Sequence, residues 1–329
     1  MKIKTPYLLF IGDAKHAKTA FGVRDWRPEQ ALAQYRYPAS MIDLGLPDMD
    51  FAEAYRNGAR TMLLGSAPAG GVLPEAWVDD IISALRAGLD IASGLHTKLN
   101  DHPRIKPVAD ELARSLWDVR YPKKTFSIGA FEKRSGKRLL TVGADCAVGK
   151  KYTALAIEKA LRARGVDADF RATGQTGILI AGSGIAIDAV VADFIAAAAA
   201  ELSPSAADDH WDIVEGQGAL FHPAYAGVTL GLIHGTQPDL MIFCADPSRT
   251  RLGDFELYPQ PDLKEAIARY TEAARLTNPA ARVAGISLNT SSMEPEAAKA
   301  ILLECSQRTG LPCTDPIRFG VEVLIDAFV

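Results

Sequence analysis

The feature that most limits the possible folds is a glycine-rich segment placed between a strand pattern and a helix pattern. Residues 143–151 read GADCAVGKK, follow the apolar run RLLTV and lead into YTALAIEKALRARG, which has helical periodicity. A strand, a turn of small residues and a helix in this order indicate a P-loop, whose backbone N–H groups converge on phosphate oxygens. Such units occur in parallel sheets covered by helices, so the sequence predicts an α/β fold with its ligand at the carboxyl ends of strands.

The segment departs from the ordinary pattern GxxxxGK(S/T) at two positions. The first glycine of the pattern falls on Ala144, and the Ser or Thr that ligates Mg²⁺ is replaced by Lys151. Lys150 and the N-terminus of the following helix would still attract an anion. We therefore expect a loop that holds phosphates rather than hydrolyses them, as coenzyme A requires, the alternative being an ordinary glycine-rich turn. The predicted cofactor-binding residues of the loop are Gly143, Ala144, Asp145, Cys146, Ala147, Val148, Gly149, Lys150 and Lys151.

Two runs of alternating strand and helix patterns divide the chain. At 329 residues it exceeds the size at which a single core stops growing, which favours two domains. We predict an N-terminal Rossmann-like domain with a parallel sheet over residues 1–125 and a C-terminal, doubly wound P-loop domain over residues 126–329. The predicted linker is Trp117–Lys137, and the alanine-rich stretch Ile185–Leu202 is predicted to be one helix.

The predicted elements of the two runs are as follows. In the first run the strands are Tyr7–Ile11, Thr61–Leu64 and Ile91–Leu95, and the helices are Glu75–Gly88 and Pro107–Leu116. In the second run the strands are Arg138–Val142, Asp167–Ala172, Asp212–Val214, Leu240–Cys244 and Val283–Leu288, and the further helices are Gly149–Arg164, Leu263–Arg275 and Glu294–Gly310.

Composition excludes several classes of function. The formal net charge is −4, with 23% charged and 48% hydrophobic residues, so there is no basic excess to attract nucleic acid. The longest apolar stretch is interrupted by Asp188, Asp193 and Glu201, which argues against a membrane span. The four cysteines form neither a CxxC pair nor a zinc spacing, which favours a reduced, cytoplasmic protein. We expect a small-molecule substrate, with neither nucleic acid nor membrane as a partner.

Three segments resemble the dethiobiotin synthetase-like P-loop proteins. The loop GADCAVGKK is similar to their GTDTxVGKT, and DIVEGQG at Asp212–Gly218 is similar to the strand end VEGAG, whose glutamate approaches the metal and phosphates. The segment VAGISLN at Val283–Asn289 resembles the late strand whose terminal asparagine reads an adenine. The resemblance therefore implies that Asn289 contacts the adenine of the cofactor, although asparagine also caps turns.

A second resemblance covers almost the whole chain. The segments FIGDAKHAKTAFGVRDWRPE, DLGLPDMDFAEAYRNGARTMLLG, AGLDIASGLHTKLND, ATGQTGILIAGSG, VEGQGALFHPAYAGVTLGLIHGTQPD, CADPSR and LPCTDPIRFG are similar to a bacterial family assigned as D-glutamate N-acetyltransferases. The usual loop of that family is GTDCAVGKMT, so Lys151 departs from it too. The resemblance implies transfer of acetyl from acetyl-CoA to the amine of an acidic D-amino acid, most simply D-glutamate. It also implies a homo-oligomer, since related P-loop enzymes often place their sites near subunit contacts.

Two alternatives remain open at this stage. The first is an ATP-dependent ligase or carboxylase of the dethiobiotin synthetase type, which would require Mg²⁺ and against which Lys151 argues. The second is a nucleotide-binding regulatory protein without catalysis. For the leading hypothesis we expect no metal, because the scattered histidines show no metal-ligand spacing such as HExxH.

Amine attack on a thioester needs a base and a donor for the developing oxyanion. We predict Glu215, His222 and Lys150 as catalytic, with Glu215 as base or ammonium anchor and His222 as the other candidate base. Glu215 could equally order its loop, and His222 could lie on the surface. Predicted substrate-binding residues, all at strand ends, are Gln175, Thr176, Gln217, Asp246 and Arg249, with Arg249 as a carboxylate clamp or the partner of Asp246.

Three polar residues, Asp13, Lys18 and Thr19, follow the first predicted strand. We expect them to line the other wall of the ligand cleft. The single Gly12 beside them does not form a GxGxxG dinucleotide fingerprint.

Overall fold

The computed structural model describes residues 2–14, 16–38, 40–66, 71–122, 124–128, 132–253 and 255–329. Strands and helices are numbered in chain order. The strands are β1 (Tyr7–Gly12), β2 (Ala31–Arg36), β3 (Thr61–Leu64), β4 (Asp90–Ser93), β5 (Leu116–Asp118), β6 (Lys137–Gly143), β7 (Ala168–Arg171), β8 (Trp211–Val214), β9 (Leu240–Ala245), β10 (Arg251–Leu252), β11 (Phe255–Pro259), β12 (Arg282–Leu288) and β13 (Cys313–Thr314). The helices are α1 (Lys18–Trp26), α2 (Phe51–Arg56), α3 (Val78–Ala87), α4 (Ile105–Glu111), α5 (Lys150–Ala163), α6 (Gln175–Ala181), α7 (Ile195–Leu202), α8 (Ala226–Thr236), α9 (Leu263–Arg275), α10 (Pro295–Thr309) and α11 (Glu322–Ile325).

The chain divides into two compact units. The first unit comprises residues 1–123 and 174–189, and the second comprises residues 124–173 and 190–329. Segment 174–189, which carries α6, therefore belongs to the first unit although the chain on both sides of it belongs to the second. The predicted division between residues 125 and 126 does not include this segment in the first unit.

The first unit is built on a five-stranded sheet in the order β2-β1-β3-β4-β5, with every neighbouring pair parallel. The interior strand β1, YLLFIG, is buried at every residue, as expected for a parallel strand covered on both faces. Phe10 of this strand packs edge-on against Trp77, with ring centroids 5.1 Å apart, in a core shared with α3 and α4.

Segment 174–189 packs on α1. A Cβ atom added at Gly22 would lie 2.8 Å from Cδ1 of Ile180, so the two helices are in close contact at this glycine. Ile3 N donates a hydrogen bond to Gly182 O at 3.0 Å, which ties the residues before β1 to the end of α6. The first unit is therefore completed by residues that follow the P-loop in sequence.

The second unit contains a six-stranded parallel sheet in the order β13-β12-β9-β6-β8-β7. A two-stranded antiparallel hairpin, β10–β11, lies outside it. Strand β6 runs between β9 and β8, so the loop that follows it emerges near the middle of the sheet. The predicted class, α/β with a Rossmann-like unit and a P-loop unit built on parallel sheets, is confirmed.

Three predicted elements differ from the structure. The single helix Ile185–Leu202 was wrong: only Ile195–Leu202 forms α7, preceded by short 3₁₀ turns, because the chain passes between the two units at residues 189 and 190. High helix propensity does not prevent such a break when tertiary packing requires it. The linker starts later than expected because Trp117 lies in β5, and the predicted helix Pro107–Leu116 ends as α4 at Glu111.

Among the residues described, none of the helices combines the length and apolar character needed to cross a bilayer.

Candidate functional site

The loop between β6 and α5 has the backbone shape of an anion cradle. Gly149 has φ +103°, which favours glycine, and Ala147 has φ +54°, a left-handed conformation uncommon for alanine. A Cβ atom added at Gly149 would meet no atom within 4 Å, so the space beside the first turn of α5 is open. An open, left-handed turn at a helix N-terminus is the arrangement in which backbone N–H groups receive phosphate oxygens.

Lys150, the first residue of α5, is 7% exposed, and its Nζ donates to Asp145 O at 2.6 Å. Burial lowers the pKa of Lys150, while the neighbouring thiols and the carboxylates of Asp145 and Glu215 act in the opposite direction. The ammonium therefore lies under the loop on a backbone oxygen, close to where a bound phosphate would offer it a stronger partner.

Asp145 holds the loop in place rather than facing an open cleft. Its side chain is fully buried, and Oδ1 accepts the Cys146 amide at 2.6 Å. Its Oδ2 accepts from Arg249 Nη1 at 2.9 Å, Gly253 N at 2.8 Å and Gln260 Nε2 at 3.2 Å. These partners flank or belong to the β10–β11 hairpin, so one carboxylate fastens the hairpin to the loop.

Arg249 takes part in the same attachment. Besides its ion pair with Asp145, it donates from Nη1 to Cys146 O at 2.9 Å and approaches Asp246 with Nε at 3.5 Å. Asp246 in turn accepts the Ser248 amide at 3.0 Å. The guanidinium would have to leave these partners in order to clamp a substrate carboxylate, so the predicted pair Asp246 and Arg249 fixes a turn in this structure.

Glu215 lies beyond β8, the strand next to β6. It is 4% exposed, and its Oε2 accepts the Thr173 amide at 3.0 Å. Thr173 Oγ1 also donates to Glu215 O at 2.6 Å and accepts from Gln217 Nε2 at 3.1 Å. The structure therefore brings the predicted residues Glu215 and Gln217 together at the end of the sheet, with Thr173 between them.

His222 is buried beside the loop rather than on the surface. It is 2% exposed, stacks on Tyr225 with centroids 4.5 Å apart and meets Phe255 edge-on at 4.8 Å. Its Nδ1 accepts the Ala224 amide at 3.2 Å. A ring nitrogen of His222, Sγ of Cys146 and a carboxylate oxygen of Asp145 all lie within 4.8 Å of one another, so the imidazole reaches the loop.

Two groups of side chains in the described part of the chain have spacings that would suit a metal ion. One is the group of Asp145, Cys146 and His222, and the other consists of Asp169, His210 and Asp212. In both groups carboxylate oxygens already accept from arginines, which disfavours a second cation at the same place. The expectation that no metal takes part stays a prediction.

The remaining predicted residues are distant from the loop in sequence. Gln175 and Thr176 begin α6 in the first unit. Asn289 follows β12 in the second unit, where its Oδ1 accepts the Ser291 amide at 3.2 Å and caps a turn. Its predicted contact with adenine stays a prediction.

Several residues that shape the site had no signal in the sequence. Tyr270 on α9 is fully buried, donates to Gly143 O at 2.7 Å and accepts the Leu220 amide at 2.9 Å. Thr141 Oγ1 accepts the Gly216 amide at 2.9 Å and so joins β6 to the segment after β8. A tyrosine on a helix and a threonine in a strand are typical core residues, which is why neither was singled out.

Comparison with known proteins identifies the family. Residues 38–122 match a domain of unknown function, DUF1611_N, described as Rossmann-like, and residues 125–325 match DUF1611_C, described as a P-loop domain. A crystal structure of a DUF1611 family protein from Anabaena variabilis superposes with a TM-score of 0.84 at 31% identity, covering 98% of this chain and 99% of that one.

Two curated relatives are each 47% identical over 328 residues, 99% of this chain, and both are named D-glutamate N-acetyltransferase. One is from Tritonibacter scottomollicae, covered over 98% of its length, and the other is from a Pseudoalteromonas species, covered over 99%. The resemblance to enzymes that transfer a group to an amine, drawn from the sequence segments, is confirmed by these names. With both of its domains matched and relatives aligned over nearly their full length, the chain belongs to the DUF1611 family.

Proposed function

We propose that the protein is an N-acetyltransferase that moves the acetyl group of acetyl-CoA to the amine of D-glutamate. The assignment of the reaction and of the acceptor rests on the 47% identity, over 99% of the chain, to two proteins named D-glutamate N-acetyltransferase. At this identity over the whole length, the residues that form both units are shared closely enough to favour the same chemistry.

The choice of acetyl-CoA as donor rests on the loop. Its left-handed turn, the open space beside Gly149 and the N-terminus of α5 suit the pyrophosphate of a coenzyme. The position that offers a hydroxyl to Mg²⁺ in ordinary P-loops holds Lys151, whose Nζ lies 4.8 Å from the ring centroid of Tyr152. A second ammonium in place of a metal ligand favours binding phosphate charge over metal-assisted cleavage of a phosphate ester. Bound acetyl-CoA supplies the thioester.

The residues of this chain must then accept a proton from the substrate ammonium. His222 is the better placed of the two predicted bases, because its imidazole reaches the loop, and histidine is the side chain that most often serves as a general base. Glu215 accepts the Thr173 amide and is less free to act as a base, and its charge favours the protonated form of Lys150 against the effect of burial. Lys150 would move from the Asp145 carbonyl to a phosphate when the coenzyme binds.

Thiol release tests the proposal directly. The pure protein is incubated with acetyl-CoA and either D-glutamate, L-glutamate, D-aspartate or D-alanine, and free thiol is followed together with the mass of the acetylated product. We expect D-glutamate to give the fastest release and one product heavier by an acetyl group. A matched reaction with ATP and Mg²⁺ in place of acetyl-CoA measures phosphate release.

Each result separates the three functions considered. Thiol release that depends on D-glutamate supports acetyl transfer. Phosphate release without thiol release would replace it with an ATP-dependent ligase, and silence in both assays, together with nucleotide binding, would leave a regulatory protein. His222→Asn, which keeps the size and polarity of the ring position, is expected to lower kcat by about 10²- to 10⁴-fold, the usual contribution of a general base.

A further inference from the structure

The first unit has its own place for a ligand, set by its strand order. The chain runs from β1 outward to β2 and then returns to β3 on the other side of β1, so the direction of winding reverses between β1 and β3. In open parallel sheets, ligands bind outside the carboxyl ends of the strands at such a reversal, and the order 2-1-3-4-5 follows this rule. In this unit the place is the edge formed by Gly12, the last residue of β1, and Ser66, two residues after β3.

Helix α1 starts at that edge. Gly65 N donates to Phe10 O at 2.8 Å, and Gly65 O accepts the Ala20 amide at 2.9 Å, so the residue before Ser66 joins β1 to the first turn of α1. The residue before the helix, Ala17, offers no capping side chain. The amides of Lys18 and Thr19 have no hydrogen-bond partner among the residues that the structure describes. At this edge a nine-residue helix thus begins without a side-chain cap among the described residues, and its first N–H groups point toward it.

The side chain of Ser66 is a second, independent observation that points to a ligand at this edge. The residue is 4% exposed, and its Oγ has no hydrogen-bond partner within the described ranges. Because a buried hydroxyl without a partner loses the hydrogen bonds that water gave it, native proteins rarely retain one without a reason. Ser66 lies directly after Gly65, the residue that contacts the first turn of α1, so its backbone is next to that turn.

A pair of hydroxyls adds a further donor. Thr19 Oγ1 and Thr176 Oγ1 lie 3.3 Å apart, and the two groups have two hydrogens but only one shared hydrogen bond. One hydrogen is therefore left for another acceptor. Thr19 is 9% exposed and is the second residue of α1, so this donor lies on the same turn as the uncapped amides.

The surrounding charge agrees with a negative ligand. Lys18, exposed at the start of α1, is the nearest cation in sequence, while the carboxylate of Asp13 accepts from Trp77 Nε1 at 3.0 Å. We propose that the first unit binds an oxyanion group, a carboxylate or a phosphate, at the carboxyl edge of β1 and β3. It is held by the Ser66 hydroxyl, the Thr19–Thr176 pair and the first amides of α1. Only the choice of D-glutamate as the carboxylate probe rests on the proposed function.

Calorimetry on the full chain tests the site with two variants and one control. Ser66→Ala and Thr19→Val remove one hydroxyl each at nearly constant volume, and Ser83→Ala removes an exposed hydroxyl from α3. D-glutamate is titrated into each protein without acetyl-CoA. Inorganic phosphate is titrated in a Lys150→Ala background, which weakens the P-loop as a competing phosphate site. Thermal unfolding of each ligand-free variant is measured alongside.

We expect Ser66→Ala to weaken binding of one of the two probes by about 10- to 150-fold, the usual effect of a lost hydrogen bond to a charged group. The Tm without ligand is not expected to fall, because the removed hydroxyl has no partner there. Weaker D-glutamate binding identifies a carboxylate site, and weaker phosphate binding identifies a phosphate site. Unchanged affinity for both probes in Ser66→Ala and Thr19→Val, or losses equal to those of Ser83→Ala, would overturn the inference.

The outcome for this site is separable from that for the proposed function. If thiol release fails for every amino acid while phosphate binding depends on Ser66, acetyl transfer is wrong and the oxyanion site stands. If D-glutamate is acetylated with the same KM in Ser66→Ala as in the unmodified protein, and neither probe binds more weakly, the function stands and the site is wrong.

Discussion

Gly216 lies two residues after the end of β8, and the surrounding backbone leaves no room there for a side chain. A Cβ atom placed there would lie 1.7 Å from the carbonyl oxygen of Thr141 and 3.1 Å from Cδ of Lys150. The close approach lets the Gly216 amide donate to Thr141 Oγ1 at 2.9 Å. The glycine therefore holds the segment after β8 tightly against β6, under the lysine of the loop.

Gly216→Ala is expected to lower the free energy of unfolding by about 3 kcal/mol, since the added methyl group forces backbone apart in a packed interior. The control is Gly227→Ala on α8, where a Cβ atom would meet nothing within 4 Å and alanine is the better helix former. Urea unfolding of both variants provides the comparison. Equal stability of the two proteins would show that the sheet yields easily at Gly216.

Lys150→Ala is expected to weaken acetyl-CoA binding by about 1–3 kcal/mol, the scale of a hydrogen bond to a charged group. The matched control is Lys159→Ala, an exposed lysine about two and a half turns further along the same helix α5. Isothermal titration calorimetry at constant ionic strength measures both variants. An affinity for Lys150→Ala as high as that of the control would contradict the assignment of the loop.

The sequence was sufficient to locate the loop but not to describe what surrounds it. Residues 143–151 form a local pattern, so the strand, the turn and the helix could be recognised together. The contacts of Asp145 with Arg249 and Gln260 join residues that are more than 100 positions apart, and no local pattern encodes such a pairing. This is why Arg249 was predicted to bind substrate while in the structure it holds the loop.

At the scale of elements, the hairpin β10–β11 is defined by its attachment to the loop rather than by the main sheet. Gly253 N and Gln260 Nε2 both donate to Asp145, and Phe255 of β11 contacts the ring of His222. One short ribbon therefore contacts the loop and the candidate base together. A change in either contact is expected to alter the position of the other.

The buried strands were the elements best predicted from sequence. Thr61–Leu64 and the helix Leu263–Arg275 match their predicted bounds, because an apolar run or an amphipathic period marks them clearly. Strand β2, with the mixed sequence ALAQYR, was not predicted, since it lies at a sheet edge where polar residues are tolerated. Edge strands and short helices depend on tertiary contacts that a local pattern does not show.

A charged cluster beside strands β7 and β8 is expected to make the free energy of unfolding depend on pH. Burial lowers the pKa of His210, but hydrogen bonds to Asp167 and Asp212 outweigh this effect, so the pKa is raised overall. A histidine with a raised pKa in the folded state stabilises the fold. The whole contribution is present when the pH is below the pKa of the unfolded state, about 6.5, and it is lost as the pH rises through the pKa of the folded state.

His210→Gln is therefore expected to lower the free energy of unfolding by about 1 kcal/mol at about pH 5.5 and by clearly less at about pH 9. Urea unfolding at both pH values, compared with the exposed His16→Gln, measures the difference. A cost that is the same at both pH values would mean that the protonated ring contributes nothing beyond its packing.

At the scale of the whole molecule, the first unit depends on residues 174–189. Helix α6 packs on α1 at Gly22, and Gly182 O accepts the amide of Ile3. A fragment of residues 1–122 would expose these surfaces and lose these contacts. We expect it to unfold without cooperativity and to bind a hydrophobic dye, in contrast to the full chain.

Differential scanning calorimetry and dye fluorescence on the fragment and the full chain provide this measurement. The informative control is the same fragment mixed with a peptide of residues 174–189, which should restore part of the cooperative transition. A fragment that unfolds cooperatively on its own, at a temperature close to that of the full chain, would show that α6 is dispensable for the first unit.

The return of residues 174–189 to the first unit has a consequence during synthesis on the ribosome. The strands of the Rossmann-like sheet are all translated before β6, yet their partner helix emerges only after the P-loop and β7 have been made. The nascent chain must therefore wait, with the surface of α1 uncovered, through a delay set by the translation rate of about 5–20 residues per second. During that interval a chaperone able to cover an apolar helix would find its binding site open, and slow codons placed before residue 189 would prolong the exposure.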